Sequence, residues 1–272
     1  MSAMSKFEGL RWWQAAPLLV AGAAVVAMPF AAMRTGEAPE SHSGEFHPIM
    51  ANKAPAFDDA PTITQRYDPQ TSQLTYLNLR SGEHKGTANE RFSRPSLSLS
   101  KLYIAQYVFE HGDDEQQELA KQMVETSDDA IADELFDAFP DSIDAIAEQY
   151  DLESTAQNGQ RWGYSVTSTY DVVYFLLQLL REDPESPVIQ AMAEYAPKAA
   201  DGTEQNFGTA TLPGATANKF GWASDGSLHS SVSIGKDYIV AAAVFGSEED
   251  LSEFVQRHLD QNAPSTSARP TN

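Results

Sequence analysis

The chain has 272 residues, 42% of them hydrophobic and 13 of them phenylalanine, so it can fill the core of one full-sized domain or of two small ones. Its 39 acidic residues outnumber 18 basic ones and give a formal charge of −21, which argues against nucleic acid as a partner and against binding of the folded part to an anionic membrane surface. Cysteine is absent, which excludes disulfides, a cysteine nucleophile and thiolate metal sites.

The first predicted element is a membrane anchor or signal segment in residues 1–34. An uncharged apolar run of 19 residues extends from Ala15 to Met33, with Lys6 and Arg11 before it and Arg34 after it. Its length suits a short transmembrane helix and exceeds the usual core of a signal peptide, and its cleavage-site pattern is weak. We expect an uncleaved anchor in the cell membrane with the rest of the chain outside the cytoplasm; the alternative is a secreted protein.

Two segments without hydrophobic periodicity flank the part that should fold. Residues 35–61 are rich in proline, glutamate and small residues, and they predict a flexible linker. Residues 262–272 have the same character and predict a disordered tail. The folded domain is therefore expected in residues 62–261.

The order of elements in residues 62–261 predicts an α+β domain. Gln73 to Leu79 alternates between apolar and polar residues, which is typical of a half-buried strand, and Ser81-Gly82 follows as a turn. The later elements are helical stretches and then strands and a closing helix: helical 102–109, 116–139, 142–150 and 169–180, strands 217–222, 228–234 and 238–245, and helix 248–261. This order predicts an α/β sandwich whose antiparallel sheet is built from both chain ends and flanked by helices, with an all-helical insertion.

Ser98 and Lys101 form an S-x-x-K motif at the start of the apolar stretch 102–109. A serine at a helix N-terminus lies beside backbone donors, and a lysine three residues later lies one turn along the same face. Burial makes the ammonium lose its proton more easily, so it can act as base to the serine hydroxyl. The same tetrapeptide recurs across a turn at Ser233 and Lys236, so this motif is weak evidence alone, and Ser98 by itself could simply cap a helix.

Two further motifs follow Ser98 in the chain. Ser127-Asp128-Asp129 lies in the second helical stretch, and Lys219-Phe220-Gly221 lies on the first strand after the helices. In this order the three motifs resemble the S-x-x-K, S-D-N and K-T-G elements of the class A β-lactamases and penicillin-binding proteins. The resemblance spans about Leu74 to Leu259 and implies a β-lactamase/transpeptidase-like fold. In appearance the chain is most similar to the serine hydrolase-like proteins that actinobacteria export.

The resemblance also implies catalytic roles. Ser98 would be the acylated nucleophile and Lys101 its base or proton relay. Ser127 would relay a proton towards the leaving group, with Lys219 facing it across the cleft. The backbone N–H groups of Ser98 and Trp222 would form the oxyanion hole.

Substrate contacts would come from Asp129, Gly221 and Trp222, and two departures from the family pattern affect this part of the site. Asp129 stands where the family usually has asparagine, and its carboxylate should raise the pKa of Lys101 and weaken that amine as a base. Phe220 replaces the hydroxyl residue that helps to hold a substrate carboxylate.

Further departures affect the cleft walls. The interval between Lys101 and Ser127 is shorter than in typical β-lactamases, so part of one wall should be missing. Glu153 is the only acidic residue between 152 and 169, and we expect it to be solvated rather than to drive deacylation. Ser224 could take over the role of the missing hydroxyl. Efficient β-lactam hydrolysis is therefore not expected.

Two functions remain open. The first is a serine hydrolase of the β-lactamase/DD-peptidase kind, which would act through a Ser98 acyl-enzyme on cell-wall peptide or a related amide or ester; its ligand would be that peptide or a β-lactam-like small molecule. The second is a catalytically inactive binding or accessory subunit, tethered to the membrane and docking on a membrane protein complex or a cell-wall component. The histidines form no metal set, so no metal or other cofactor is expected; only His229 could lie near the cleft, and a core position is favoured for it.

Overall fold

The computed structural model describes residues 71–259, so the predicted anchor, linker and tail lie outside the described residues. The strands of this range are β1 Gln73–Asn78, β2 His84–Gly86, β3 Arg94–Pro95, β4 Val166–Thr167, β5 Ala215–Trp222, β6 Leu228–Gly235 and β7 Tyr238–Phe245. The helices are α1 Ser100–His111, α2 Asp114–Thr126, α3 Asp129–Ala138, α4 Ser142–Gln149, α5 Thr169–Glu182, α6 Pro187–Ala193 and α7 Glu248–Leu259. Between residues 71 and 259, no helix combines the length and the apolar character needed to cross a membrane.

The main sheet has five antiparallel strands in the order β2-β1-β7-β6-β5. β1 pairs with β7, with Gln73 opposite Ala243 and Asn78 opposite Tyr238, so the first described strand lies beside the last one. The helices α1 to α6 come between β2 and β5 in the chain. The predicted α+β class, with a sheet built from both ends and a helical insertion, is confirmed.

Helices cover both faces of this sheet. Successive residues of a strand point to opposite faces, and Ala241 and Ala242 of β7 accordingly belong to different hydrophobic clusters. The larger cluster contains the fully buried α1 side chains, and the smaller one contains Leu251 and Val255 of α7. Each large apolar side chain buried in this way stabilises the fold by about 1.5–3 kcal/mol. As a result, α1 is a fixed support for the residues at its N-terminus.

The predicted helical stretch 116–139 is two helices instead of one. Ser127 has a left-handed backbone with φ of 55°, which ends α2 at Thr126. The Asp128 carboxylate then accepts hydrogen bonds from the backbone N–H groups of Ala130 and Ile131 and so begins α3. The apolar spacing continued across this break, so periodicity could not reveal it. The short helix α6 and the β3–β4 pair were not predicted either.

Candidate active site

Ser98 lies in a 3₁₀ turn, Leu97–Leu99, that leads into α1. The turn begins at Leu97 with φ of 52°, a left-handed conformation that costs a leucine about 1–2 kcal/mol. Gly221 of β5 packs against this turn: a Cβ at that position would lie 2.9 Å from Leu97 Cβ and 3.0 Å from Ser98 N. Only glycine therefore allows β5 to approach the serine backbone this closely.

The end of β5 exposes a backbone donor at the same place. Ala223 N donates to Leu228 O across to β6 at 2.9 Å. Because successive N–H groups of a strand point in opposite directions, the N–H of Trp222 points towards the free edge of β5. Ser98 and Trp222 line one cavity of about 370 Å³. This arrangement is compatible with the predicted oxyanion hole.

Lys101 has a fully buried side chain, and its Nζ donates to Ser127 O at 2.6 Å and to Asp129 Oδ1 at 2.5 Å. Within residues 71–259 no hydrogen bond joins this amine to Ser98 Oγ. Burial lowers the pKa of Lys101, and Asp129 opposes that shift through its hydrogen bond and its charge. The expected upward effect of Asp129 is therefore present, but burial outweighs it.

Lys219 is the second buried lysine of the site. Its Nζ donates to Ser127 Oγ at 2.6 Å and to Phe220 O at 3.4 Å. Burial holds the pKa of Lys219 well below its ordinary value, and the charge of Lys101 adds to this effect. Ser127 thus contacts Lys101 with its carbonyl and Lys219 with its hydroxyl. Because Lys219 occupies a lone pair of that hydroxyl, the hydroxyl proton remains available for another acceptor.

Two predicted substrate residues, Asp129 and Trp222, line the cavity, whereas Phe220 lies in the core. Asp129 lines the cavity with a side chain that is 73% exposed. Trp222 lines it as well and donates from Nε1 to Asp201 Oδ2 at 3.0 Å. Phe220 is fully buried on the face of β5 that packs on α7, opposite to Lys219 and Gly221, with its ring centroid 5.0 Å from that of Phe207. The Phe220 ring, which replaces the family's hydroxyl, is therefore not among the cavity-lining residues.

Three cavity residues escaped the sequence analysis: Arg161, Trp162 and Tyr164. They belong to the segment RWGY, which places one cation and two aromatic rings in an otherwise polar interval. That composition is the feature of the sequence from which these cavity residues could have been identified. Tyr164 is 62% exposed and also lines an adjoining cavity of about 320 Å³.

Other residues singled out in the sequence fall outside the cleft, apart from Ser224, which lines the cavity. Glu153 is exposed, as predicted. His229 is buried and its Nδ1 lies 2.7 Å from Gly246 O, so it is a core histidine. Ser233 of the second S-x-x-K motif is buried and hydrogen-bonded to Asn218 Oδ1 at 2.6 Å. Between residues 71 and 259, no group of three or more metal-ligating side chains is assembled.

No family model and no curated protein matches this chain. Solved structures do match it. The structure of PBP-A is 18% identical, with a TM-score of 0.56, and the match covers 69% of this chain and 86% of PBP-A. A β-lactamase from a halotolerant bacterium is 13% identical, with a TM-score of 0.55 and coverage of 70% and 94%. A β-lactamase from Xanthomonas campestris pv. campestris is 14% identical, with a TM-score of 0.55 and coverage of 70% and 88%.

At identities this low, the similarity concerns the fold. The chain has the fold of the β-lactamases and penicillin-binding proteins, as the three ordered motifs predicted. The structure joins Lys101 and Lys219 to Ser127 by hydrogen bonds, and it places Ser98 and Asp129 at one cavity.

Proposed function

We propose that this protein is an extracytoplasmic serine hydrolase-like protein that forms an acyl-enzyme at Ser98 with cell-wall peptide or a related amide or ester. The observation that carries the proposal is the position of Ser127, which contacts both buried lysines beside the cavity that Ser98 lines. The predicted N-terminal anchor supports a location at the outer face of the cell membrane, or secretion if that segment is removed.

The contacts suggest how acylation would proceed. Lys101 as a neutral amine takes the proton of Ser98 Oγ while that oxygen bonds to the carbonyl carbon. The N–H groups of Ser98 and Trp222 stabilise the oxyanion. When the amide or ester bond breaks, the proton passes by way of the Ser127 hydroxyl to the leaving group, which returns Lys101 to the amine. Lys219 holds that hydroxyl in place.

The ion pair at Lys101 must rearrange before acylation. The amine of Lys101 is hydrogen-bonded to Ser127 and Asp129, and it must come within hydrogen-bond distance of Ser98 Oγ when substrate binds. Catalytic hydrogen bonds are often completed only in the substrate complex, so the unliganded geometry is compatible with this step. The lowered pKa of Lys101 supports it, because it increases the fraction of neutral amine.

Deacylation is expected to be slow. Hydrolysis of the acyl-enzyme needs a base that activates water, and Asp129 is the only carboxylate among the cavity-lining residues. Its Oδ1 is engaged by Lys101, and the exposed Glu153 is absent from that lining. The acyl-enzyme should therefore persist, and efficient β-lactam hydrolysis is not part of this proposal.

The cavity also favours a ligand with an anionic group. Arg161 lines it and offers a guanidinium that can bind a carboxylate with two parallel hydrogen bonds. Ser224 offers a hydroxyl at the same cavity. Together they could replace the hydroxyl that Phe220 does not supply, which fits a peptide with a free carboxylate and a β-lactam alike.

A second function is favoured by one specific observation. The contact between Lys101 and Asp129 stabilises the ammonium, and an ammonium cannot accept a proton from Ser98. If that contact persisted in the complex, the domain would bind cell-wall peptide or a protein partner without reacting. Such a module would still bind an anionic ligand at Arg161 but would form no covalent product.

The two functions are separated by covalent labelling. The purified full-length protein would be incubated with a labelled β-lactam and, separately, with a fluorophosphonate, and the adduct would be measured by intact mass. We expect one adduct per chain, lost in Ser98→Ala and kept in Ser233→Ala, the serine of the second S-x-x-K motif. Folded protein that gives no adduct with either probe would reject the acyl-enzyme and leave the binding module.

A further inference from the structure

The indole ring of Trp162 lies against the amine of Lys101 and also lines the cavity. It lies in the 3₁₀ turn Trp162–Tyr164, between α4 and β4, and only 8% of it is exposed. Its Nε1 donates to Asp133 Oδ1 of α3 at 2.7 Å. Lys101 Nζ lies over its ring, 4.8 Å from the ring centroid. The indole is thus fixed at its edge by α3 and presents its face to the amine.

The other contacts of Lys101 show why this face matters. An ammonium has three protons, and two of them are donated to Ser127 O and Asp129 Oδ1. One hydrogen-bonding position remains, and the reaction needs it for Ser98. A long, flexible lysine side chain reaches many positions unless its surroundings restrict it. The indole is held by α3, and its face blocks movement of the Lys101 amine in that direction.

We propose that Trp162 is a positioning residue for Lys101, whose amine it holds against Ser127 and Asp129 through a cation–π contact. The inference rests on the proposed function, because positioning Lys101 matters only if that amine serves Ser98. The segment before β4 would then take part in the reaction by positioning Lys101. The aromatic face is expected to favour the ammonium over the amine, as a cation–π contact does.

Besides the indole, several charged groups lie near Lys101, and the carboxylates among them also affect its pKa. Asp129 and Asp128 belong to the start of α3, Asp201 belongs to the loop before β5, and Lys219 belongs to β5 itself. The three carboxylates favour the ammonium of Lys101, and the charge of Lys101 in turn disfavours the ammonium of Lys219. A variant at Trp162 leaves all four in place, so a change in the titration of Lys101 would report on the indole.

The test is a titration of Lys101 in the full-length protein without substrate. The chain contains eight lysines, so ¹³C labels at the lysine ε-carbons give few signals, and the Lys101 signal is the one lost in Lys101→Met. In Trp162→Leu, which keeps an apolar cover, we expect the midpoint to fall by about half to one pH unit. Trp162→Phe keeps an aromatic face and should restore at least half of that shift.

An unchanged or higher midpoint in folded Trp162→Leu would overturn the proposal. Should that variant fail to fold, Asp133→Ala supplies the test, since Asp133 is exposed and its loss releases only the edge of the indole. A smaller fall in the Lys101 midpoint is then expected, and no fall would overturn the proposal. Because the titration needs no reaction, an absence of Ser98 labelling would reject the proposed function without deciding this result.

Discussion

Lys101 shows how burial and a neighbouring carboxylate act against each other at the N-terminal end of α1. Burial favours its neutral amine, while the Asp129 carboxylate at 2.5 Å favours the ammonium. The side chain of Asp129 is 73% exposed, so water screens part of its effect. This accounts for the direction of the pKa of Lys101, which lies below its ordinary value despite the ion pair. The residue that departs from the family pattern therefore moderates the base without abolishing it.

Replacing Asp129 by asparagine should make the site react faster. Asparagine keeps an oxygen that can accept from Lys101 but removes the charge, so the pKa of Lys101 falls further and more neutral amine is present at pH 7. We expect acylation of Ser98 by a labelled β-lactam to be about 3- to 10-fold faster, with the acid limb of the pH–rate profile shifted to lower pH by about half to one unit.

The matched control for that change is Asp128→Asn. Asp128 also favours the ammonium of Lys101 through its charge, but it makes no hydrogen bond to the amine, and asparagine is an equally good cap for α3. Its effect should have the same sign and be smaller than that of Asp129→Asn. Slower acylation in Asp129→Asn would contradict the account of Lys101 as the base.

The break between α2 and α3 illustrates which elements the sequence predicts. The main strands and the turns between them followed from alternation and from glycine and aspartate residues, and the predicted antiparallel sheet built from both chain ends is confirmed. The break did not follow, because the apolar spacing runs through Ser127 and only its left-handed backbone ends α2. The left-handed backbone of Leu97 could not be predicted either. It is held by packing against β5, and the local sequence contains no sign of that contact.

The left-handed backbone of Ser127 predicts a difference between two substitutions. Ser127→Ala and Ser127→Gly both remove the hydroxyl that Lys219 contacts, so both should reduce labelling of Ser98 by at least about tenfold. Glycine adopts φ of 55° without strain and alanine does not. Urea unfolding should therefore show Ser127→Gly to be more stable than Ser127→Ala by about 1 kcal/mol. The reverse order of stability would show that the strain lies elsewhere.

At the scale of the whole molecule, a buried carboxyl joins the segment before β4 to α5. Asp171 accepts from Ser154 N and from Thr155 Oγ1, both at 2.8 Å. Burial raises the pKa of Asp171 to about 6 from its ordinary 3.8, against the effect of those hydrogen bonds. The folded chain therefore binds a proton here more tightly than the unfolded chain does. Its contribution to stability is largest below about pH 4 and falls as the pH rises to about 6.

Asp171→Asn should remove that pH dependence. We expect the free energy of unfolding of the variant, relative to the wild type, to increase by about 2 kcal/mol between pH 4 and pH 6.5, because the wild type alone must ionise a buried group. Urea unfolding of both proteins across this range measures the difference. If the difference in the free energy of unfolding between the two proteins were constant, or decreased with pH, the raised pKa of Asp171 would be contradicted.

The fold was predictable because it rests on the order of the motifs and elements along the chain. Ser98, Ser127 and Lys219 stand in the order of the family motifs; in the structure Lys219 donates to Ser127, and Ser98 lines the cavity. The positions of Trp162 and Arg161 at the cavity could not be predicted, because they depend on how the segment before β4 packs against α3 and Lys101. Likewise, sequence alone could not show that Phe220 turns away from the cleft, since that depends on the face of β5 that packs on α7.

The central claim is that Ser98 becomes acylated and stays so. Its most direct measurement follows the mass of the full-length protein after a brief exposure to a labelled β-lactam and removal of the free compound. The account predicts an adduct that maps to Ser98 and decays over hours, since Asp129, the one carboxylate that lines the cavity in the described part of the chain, is paired with Lys101. An adduct that maps to another residue, or folded protein that stays unmodified, would contradict it.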